Sequence, residues 1–548
     1  MNAPARADEH GSTASGKAGG SAPAGGSARA GVPFLVTGLV AVLAIGVRLW
    51  PLLSNHMLGG LLEYDDGVHY DASAHLIGGV LPYRDFVFVQ PPGVILLLVP
   101  FAALGRLAGD QTAMTAARFG VMLVAAVNVV LLTRLIRPRA GRVAAVAAGL
   151  TYAVWGGAAA AERTVLLEPL LGLGLLGAMT LLGAPAVTRR SPARRAGRVR
   201  AGEAAPGGYG RRLVAAGLLL GLALAVKTWA VVDIAVLAGW LAWRSGWRAA
   251  AAFAGVAFGA AAAVCAPFFA AAPGAMIHQV IADQLGRTER LTPDPLVFLH
   301  EVAGVGQVYG RAGAAAGAAI AVIALFVLAV LVALWRGPRI WAVLAIAALA
   351  LTIPQRSYTY HYIDFAAPAL AACAGISIAA LLRAARRAPG RAGRGAAAAA
   401  GVAVTALLAV FAWQSVTHDV VGSPVQPEFT AFFAAHPCAF SDYPSLLVAA
   451  DAETRQARLR CASLVDYTGA ALAVGNGRMV IQLGHGAHAR FYRYPTWQAE
   501  VRRVLGTTDA AVLSWRPQRW TPATDRYFHH RFRQLSRVGS FTLWVLRR

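Results

Sequence analysis

A mostly α-helical, polytopic membrane bundle of about eleven spans, carrying a small C-terminal extracytoplasmic α/β domain, is the fold class that three features of this sequence predict. The 548 residues are 57% hydrophobic and only 14% charged, with a mean hydropathy of +0.55, which is too apolar for a soluble globular chain of this length. Apolar runs of spanning length recur, with short arginine tracts between them. From about residue 416 onward, Trp, Tyr, His, Asp and Glu return and the apolar runs shorten to strand length.

The elements follow in chain order. Residues 1–31 are rich in Gly, Ala and Ser with nothing to bury, and read as a disordered cytoplasmic tail. Runs at about 32–53, 112–133, 143–161, 164–184, 213–228, 229–243, 249–271, 312–335, 339–354, 365–382 and 396–415 are taken as spans. The run at 91–107 is shorter, opens on Pro91-Pro92 and closes on Gly105-Arg106, so it is expected to lie at the interface. Charge agrees with that choice. With the N-terminus inside and 91–107 left out of the count, the tracts Arg134 to Arg142, Arg189 to Arg212, Arg244/Arg248, Arg336/Arg339 and Arg383 to Arg394 all fall on the cytoplasmic side. The same accounting puts 54–111, 272–311, 355–364 and 416–548 outside. The domains expected are therefore the tail, a transmembrane unit over 32–415 with an external first loop at 54–111, and a soluble extracytoplasmic domain over 416–548.

The net charge of +24 is accounted for by these loop arginines, and no basic face interleaved with aromatics marks a nucleic-acid partner. Of four cysteines, Cys265 and Cys373 fall in apolar runs. Cys438 and Cys461 fall in the region placed outside, where an oxidising compartment would let them pair. The four cysteines show no zinc-site spacing, no metal ligand is assigned, and dependence on a divalent metal is left open.

The chemistry-bearing stretch is Glu63-Tyr-Asp-Asp-Gly-Val-His-Tyr-Asp71, followed by Leu81-Pro-Tyr-Arg-Asp-Phe86 and Gln90-Pro-Pro92. Carboxylates beside a bilayer cost roughly 2.5–3.5 kcal/mol each at a helix centre, so a cluster of them points to a function. The loop holds Glu63, Asp65, Asp66, Asp71 and Asp85, and a carboxylate there, partly desolvated, would keep enough basicity to accept a proton from a hydroxyl. Tyr64 and the other aromatics of the loop suit a sugar ring and an interfacial belt equally well. Glu168, in Leu167-Glu-Pro169, is a second acidic position, which also reads as an interfacial charge. Lys227 lies at the end of a span, where it can meet a phosphate or simply snorkel. The loop from Gln355 to Pro368 is dense in aromatics and offers Arg356 as a phosphate fork and His361 as a donor.

The order of these elements resembles the GT-C membrane glycosyltransferases, and in particular the family-39 group that includes protein O-mannosyltransferases, lipid A aminoarabinose transferases and the RgtA/B/C/D type. The resemblance covers roughly residues 32–385 and is strongest from Tyr64 to Pro92. It implies a catalytic base in the first external loop, at Asp65 with Asp66 beside it, and a second acidic residue at Glu168. It also implies donor-binding roles for Lys227, Arg356 and His361, with Arg84 and Tyr64 as further substrate contacts. The second acidic position is more often Glu in that family, and Gln90 stands where His is common.

What the resemblance implies for function is transfer of a sugar from a polyprenyl-phosphate donor to a glycan, lipid or protein acceptor of the envelope, with inversion, at the outer face. The donor lipid would be a co-substrate, and no other cofactor is implied. Two other classes compete. A transporter or flippase for a lipid-linked sugar would carry mid-membrane charges and repeat-related broken helices. A non-catalytic envelope scaffold would tolerate alanine at the loop carboxylates.

Overall fold

The computed structural model describes residues 26–183, 206–285, 295–305, 312–355, 357–387, 389–417, 422–475, 493–514 and 520–547. The chain is mostly helical. Among the described residues six helices are long and apolar enough to cross a membrane: Leu35–Ser54, Asp110–Ala140, Trp247–Ala271, Ala316–Arg336, Tyr360–Arg387 and Gly390–Thr417. A seventh is obtained if the pair Arg142–Val154 and Gly156–Arg163, bent by 54°, counts as one span.

Length keeps two of the eleven apolar runs out of this count. Glu168–Leu181 has 14 residues and Ile340–Thr352 has 13; at 1.5 Å per residue each covers roughly 20 Å of a hydrocarbon layer about 30 Å thick. The 91–107 run forms a helix at Gly93–Ala108, 16 residues long.

Residue placement is inverted relative to a water-soluble protein. Leu35, Leu39, Val42, Leu328, Leu331 and Val402 are exposed, whereas Arg48, Asp66, Arg118, Glu162 and Glu168 are buried. Exposed tryptophans mark helix ends, among them Trp50, Trp243, Trp247, Trp335 and Trp413. An apolar surface with aromatics at its rims is what a helix bundle presents to lipid.

The first loop, residues 54–111, is folded rather than open. Glu63 is extended and its carboxylate accepts from the Tyr64 N–H at 2.8 Å, capping a helix at Tyr64–Ile77 that carries Asp65 and Asp66 in its first turn. Negative side chains there complement the helix dipole. Gly67 lets the C-terminal region pack directly on this helix, because a Cβ at that position would stand 2.2 Å from the Ser445 backbone nitrogen.

The C-terminal region holds a four-stranded sheet of order β1-β2-β4-β3, with β1 at Phe440–Ser441, β2 at Ala510–Leu513, β3 at Phe532–Val538 and β4 at Phe541–Leu546. β1 runs parallel to β2, and the remaining pairs are antiparallel. β2 is buried along its whole length, while β3 is the edge and largely exposed. Cys438 and Cys461 are joined by a disulfide with Cα atoms 5.3 Å apart, tying the entry to β1 to the end of the helix Glu453–Leu459.

Candidate functional site

The capped helix Tyr64–Ile77 opens onto a cleft of about 190 Å³. Its walls are completed by Phe88 to Gln90, by Leu166 to Glu168, by Lys227, by the loop from Ser357 to Tyr362, and by Asp466, Thr468 and Leu472 of the C-terminal region. Asp65 lines the cleft and is half-buried. Its carboxylate makes no hydrogen bond among the described residues, although it is close enough to Glu63, His69 and His361 to influence them electrostatically.

Glu63 is held on both oxygens, by the Tyr64 N–H and by the Tyr360 hydroxyl, each at 2.8 Å. Burial, and then the neighbouring Asp65 charge, raise its carboxyl above the ordinary value of 4.5. His69 is pushed down by burial, so it is kept neutral. Its Nδ1 lies 3.0 Å from the Val165 carbonyl, which can only accept. The proton therefore sits on Nδ1 and the Nε2 lone pair is left as an acceptor.

Glu168 and Lys227 face each other across a break in the helices. Glu168 is the first residue of the helix Glu168–Leu181, and Pro169 behind it has no N–H to lose. Lys227 sits in the three-residue gap between the helices Pro206–Val226 and Ala230–Ser245. Its ammonium donates to Glu168 Oε1 at 2.5 Å and lies 3.7 Å from the centre of the Trp229 ring. His361 Nδ1 is 3.1 Å from the same carboxylate oxygen. Glu168 Oε2 is buried and has no donor among the described residues.

The remaining predicted residues are spread differently. Tyr64 lines the cleft and donates its hydroxyl to Asp466 at 3.0 Å. Asp66, next to Asp65, turns away: it accepts from Arg118 at 2.6 Å, from Ser445 at 2.9 Å and from the Thr164 hydroxyl, and is fully buried. Arg84 does not line the cleft. It is exposed and forked onto Asp85, at 2.9 Å and 2.8 Å. That pairing engages two of its five N–H donors, outside the cleft. Arg356 lies outside the described residues.

Sequence reasoning missed His69, Asp466 and Thr468 as walls of this cleft. Asp466 holds Thr468 at 3.2 Å and the Gly469 N–H at 2.8 Å, so this wall is organised before anything binds. No spacing rule connects it to Tyr64, which is 402 residues away. His69 had a signal, since it stands one helical turn beyond Asp65 and Asp66.

No protein-family model matches the sequence, and no curated protein matches it. Solved structures do match. ArnT from Cupriavidus metallidurans in the apo state is 15% identical, with 94% of this chain and 98% of that chain covered and a TM-score of 0.55. The archaeal oligosaccharyltransferase AglB from Archaeoglobus fulgidus, solved with an inhibitory peptide and a dolichol-phosphate, is 10% identical, with 94% and 74% covered and a TM-score of 0.58. At these identities the likeness is one of fold. The chain shares the fold of ArnT and AglB.

Proposed function

We propose that this chain is an integral-membrane glycosyltransferase that moves a sugar from a polyprenyl-phosphate donor to an acceptor hydroxyl of the cell envelope, with inversion. The observation that carries this reading is the cleft itself, where an unpaired carboxylate, Asp65, shares one small cavity with the Lys227 ammonium and the aromatic loop from Ser357 to Tyr362. The GT-C fold, which AglB shares and which was solved there with a dolichol-phosphate, supports the same reading.

In the proposed reaction Asp65 takes the proton of the acceptor hydroxyl. The oxygen attacks the anomeric carbon from the face opposite the lipid, a new glycosidic bond forms, and the bond to the phosphate oxygen breaks with its electron pair going to the phosphate. Lys227 would offset the charge that develops there, because Glu168 uses only one of its three N–H donors. Arg356 would add a forked contact to the same phosphate. Glu168 and His361 would hold Lys227 in place, and Tyr64 would support the acceptor side through Asp466.

The proposed topology has eleven crossings, with the arginine tracts cytoplasmic. The cleft and residues 416–548 would then be extracytoplasmic. Reporters fused near Arg139 and Arg387 should read cytoplasmic and fusions beyond residue 422 external; an inactive alkaline phosphatase at the latter position would reverse the assignment. The activity is tested by comparing the masses of envelope glycans and glycoproteins from wild-type and deletion strains. The sugar that disappears is then supplied to the purified chain as its polyprenyl-phosphate conjugate. Loss of one sugar, restored by wild type and not by Asp65→Asn, is the expected result. Unchanged glycans would remove the proposal.

A further inference from the structure

A second cluster of ionisable groups lies on the same helix as Asp65 but outside the cleft. Asp71 and His75 are one turn apart on Tyr64–Ile77, and Glu453 opens the helix Glu453–Leu459 of the C-terminal region. All three are buried, and one ligating atom from each lies within 4.8 Å of the others. His75 Nδ1 is 2.6 Å from Asp71 Oδ1 and 3.5 Å from Glu453 Oε1. It is also 3.1 Å from the Asp71 backbone carbonyl, the contact it would give up to a cation.

The two acids of this cluster take no hydrogen bond from outside it among the described residues, and the nitrogen nearest to them is His75 Nδ1. Both oxygens of Asp71 and both of Glu453 are buried and make no hydrogen bond among the described residues. Asp110, close by, shows what a satisfied carboxylate looks like here: the Tyr70 hydroxyl at 2.9 Å, the Thr454 N–H at 2.9 Å and the Thr454 hydroxyl all donate to it. One imidazole can offset at most one of two buried carboxylate charges, so the pair needs a further positive partner. The outer nitrogen of His75 is meanwhile held by Ser463 Oγ at 3.2 Å. A proton on that nitrogen leaves Nδ1 as a lone pair facing both acids, which is how a ligating histidine is commonly oriented.

We propose that Asp71, His75 and Glu453 bind a divalent cation of the zinc class. One imidazole nitrogen and two carboxylates form an N/O set that suits Zn²⁺, with water completing the shell. The ion would clamp the helix that bears Asp65 to the C-terminal region. It would not touch the cleft, whose lining includes none of the three residues.

The test uses the purified full-length chain in detergent, stripped with EDTA, dialysed against Zn²⁺ and assayed for bound zinc. Wild type should retain one equivalent that the double variant Asp71→Asn/Glu453→Gln loses, while Glu168→Gln, in the cleft, keeps it. Added Zn²⁺ should raise the melting temperature of wild type and not of the double variant. Ser463→Ala should retain the site with affinity lowered roughly 10–100-fold, and it carries the test if the double variant does not fold. No zinc retained by wild type, or equal zinc and equal affinity in wild type and Ser463→Ala, would overturn the proposal. In that case the two acids share a proton instead.

Discussion

Behind the cleft, two buried ion pairs are complete: Arg118 is paired with Asp66 and Arg48 with Glu162, and Ser445 and Tyr152 donate to the other oxygen of each carboxylate. Within the cleft two carboxylates, Asp65 and Glu168, are left incomplete. Asp65 has no donor among the described residues, and Glu168 has one oxygen engaged and one bare. Asp65 and Asp66 are consecutive on one helix, so helical rotation alone sends one to each region. Buried polar groups that find partners hold a fold together, while those left without them are placed for something else.

The largest effect should come from the unmatched side. Asp65→Asn keeps the shape and removes the basicity, and turnover should fall by roughly 10²–10⁴ while donor binding and melting temperature stay near wild type. A purified Asp65→Asn enzyme that transfers at the wild-type rate would move the base elsewhere, with Glu63 or Glu168 the neighbours to examine. The matched side should respond in the opposite way. Asp66→Ala strands Arg118 in the interior and should cost about 3–5 kcal/mol, read as a lower denaturation midpoint. If Asp66→Ala proves as stable as wild type and inactive, the contrast between the two residues fails.

Two smaller effects sharpen the boundary. Replacing Cys438 and Cys461 by Ser opens a loop of 23 residues and should cost on the order of 3 kcal/mol in the C-terminal region, measured by protease resistance there. The smallest effect is a pH dependence. Glu63 titrates above 4.5 in the fold, because of burial and then the Asp65 charge. The stability tied to its neutral form is therefore complete below about 4.5 and is lost as pH rises through the raised value. Thermal melts across that window should fall with rising pH in wild type and flatten in Glu63→Gln; parallel curves would mean that Glu63 is not strained by its neighbours.

Much of the scaffold could be read from local pattern. The runs at Ala510-Ala-Val-Leu-Ser514 and Phe541-Thr-Leu-Trp-Val545 coincide with β2 and β4, and the helical spacing from Trp497 to Leu505 falls inside the helix Pro495–Thr507. β3 was not legible, because Arg533, Gln534, Ser536 and Arg537 give an edge strand no apolar alternation. The bend after Val154 was also hidden, since a kink inside a continuous apolar run leaves hydropathy unchanged. At the site, Asp65, Glu168, Lys227 and His361 could be found because each sits at an apolar boundary. Which of Asp65 and Asp66 faces the cleft could not, because Arg118 and Ser445 decide it, and both are distant in sequence.

The bond between Tyr64 and Asp466 spans 402 residues. A ribosome adding about 5–20 residues per second needs roughly 20–80 s to get from one to the other. During that interval the helix bearing Asp65 exists without its far wall, and a chain interrupted before Asp466 would carry the base but no finished cavity. Assembly therefore withholds the finished cavity until roughly the last sixth of the 548 residues is being made, and shorter products lack its far wall.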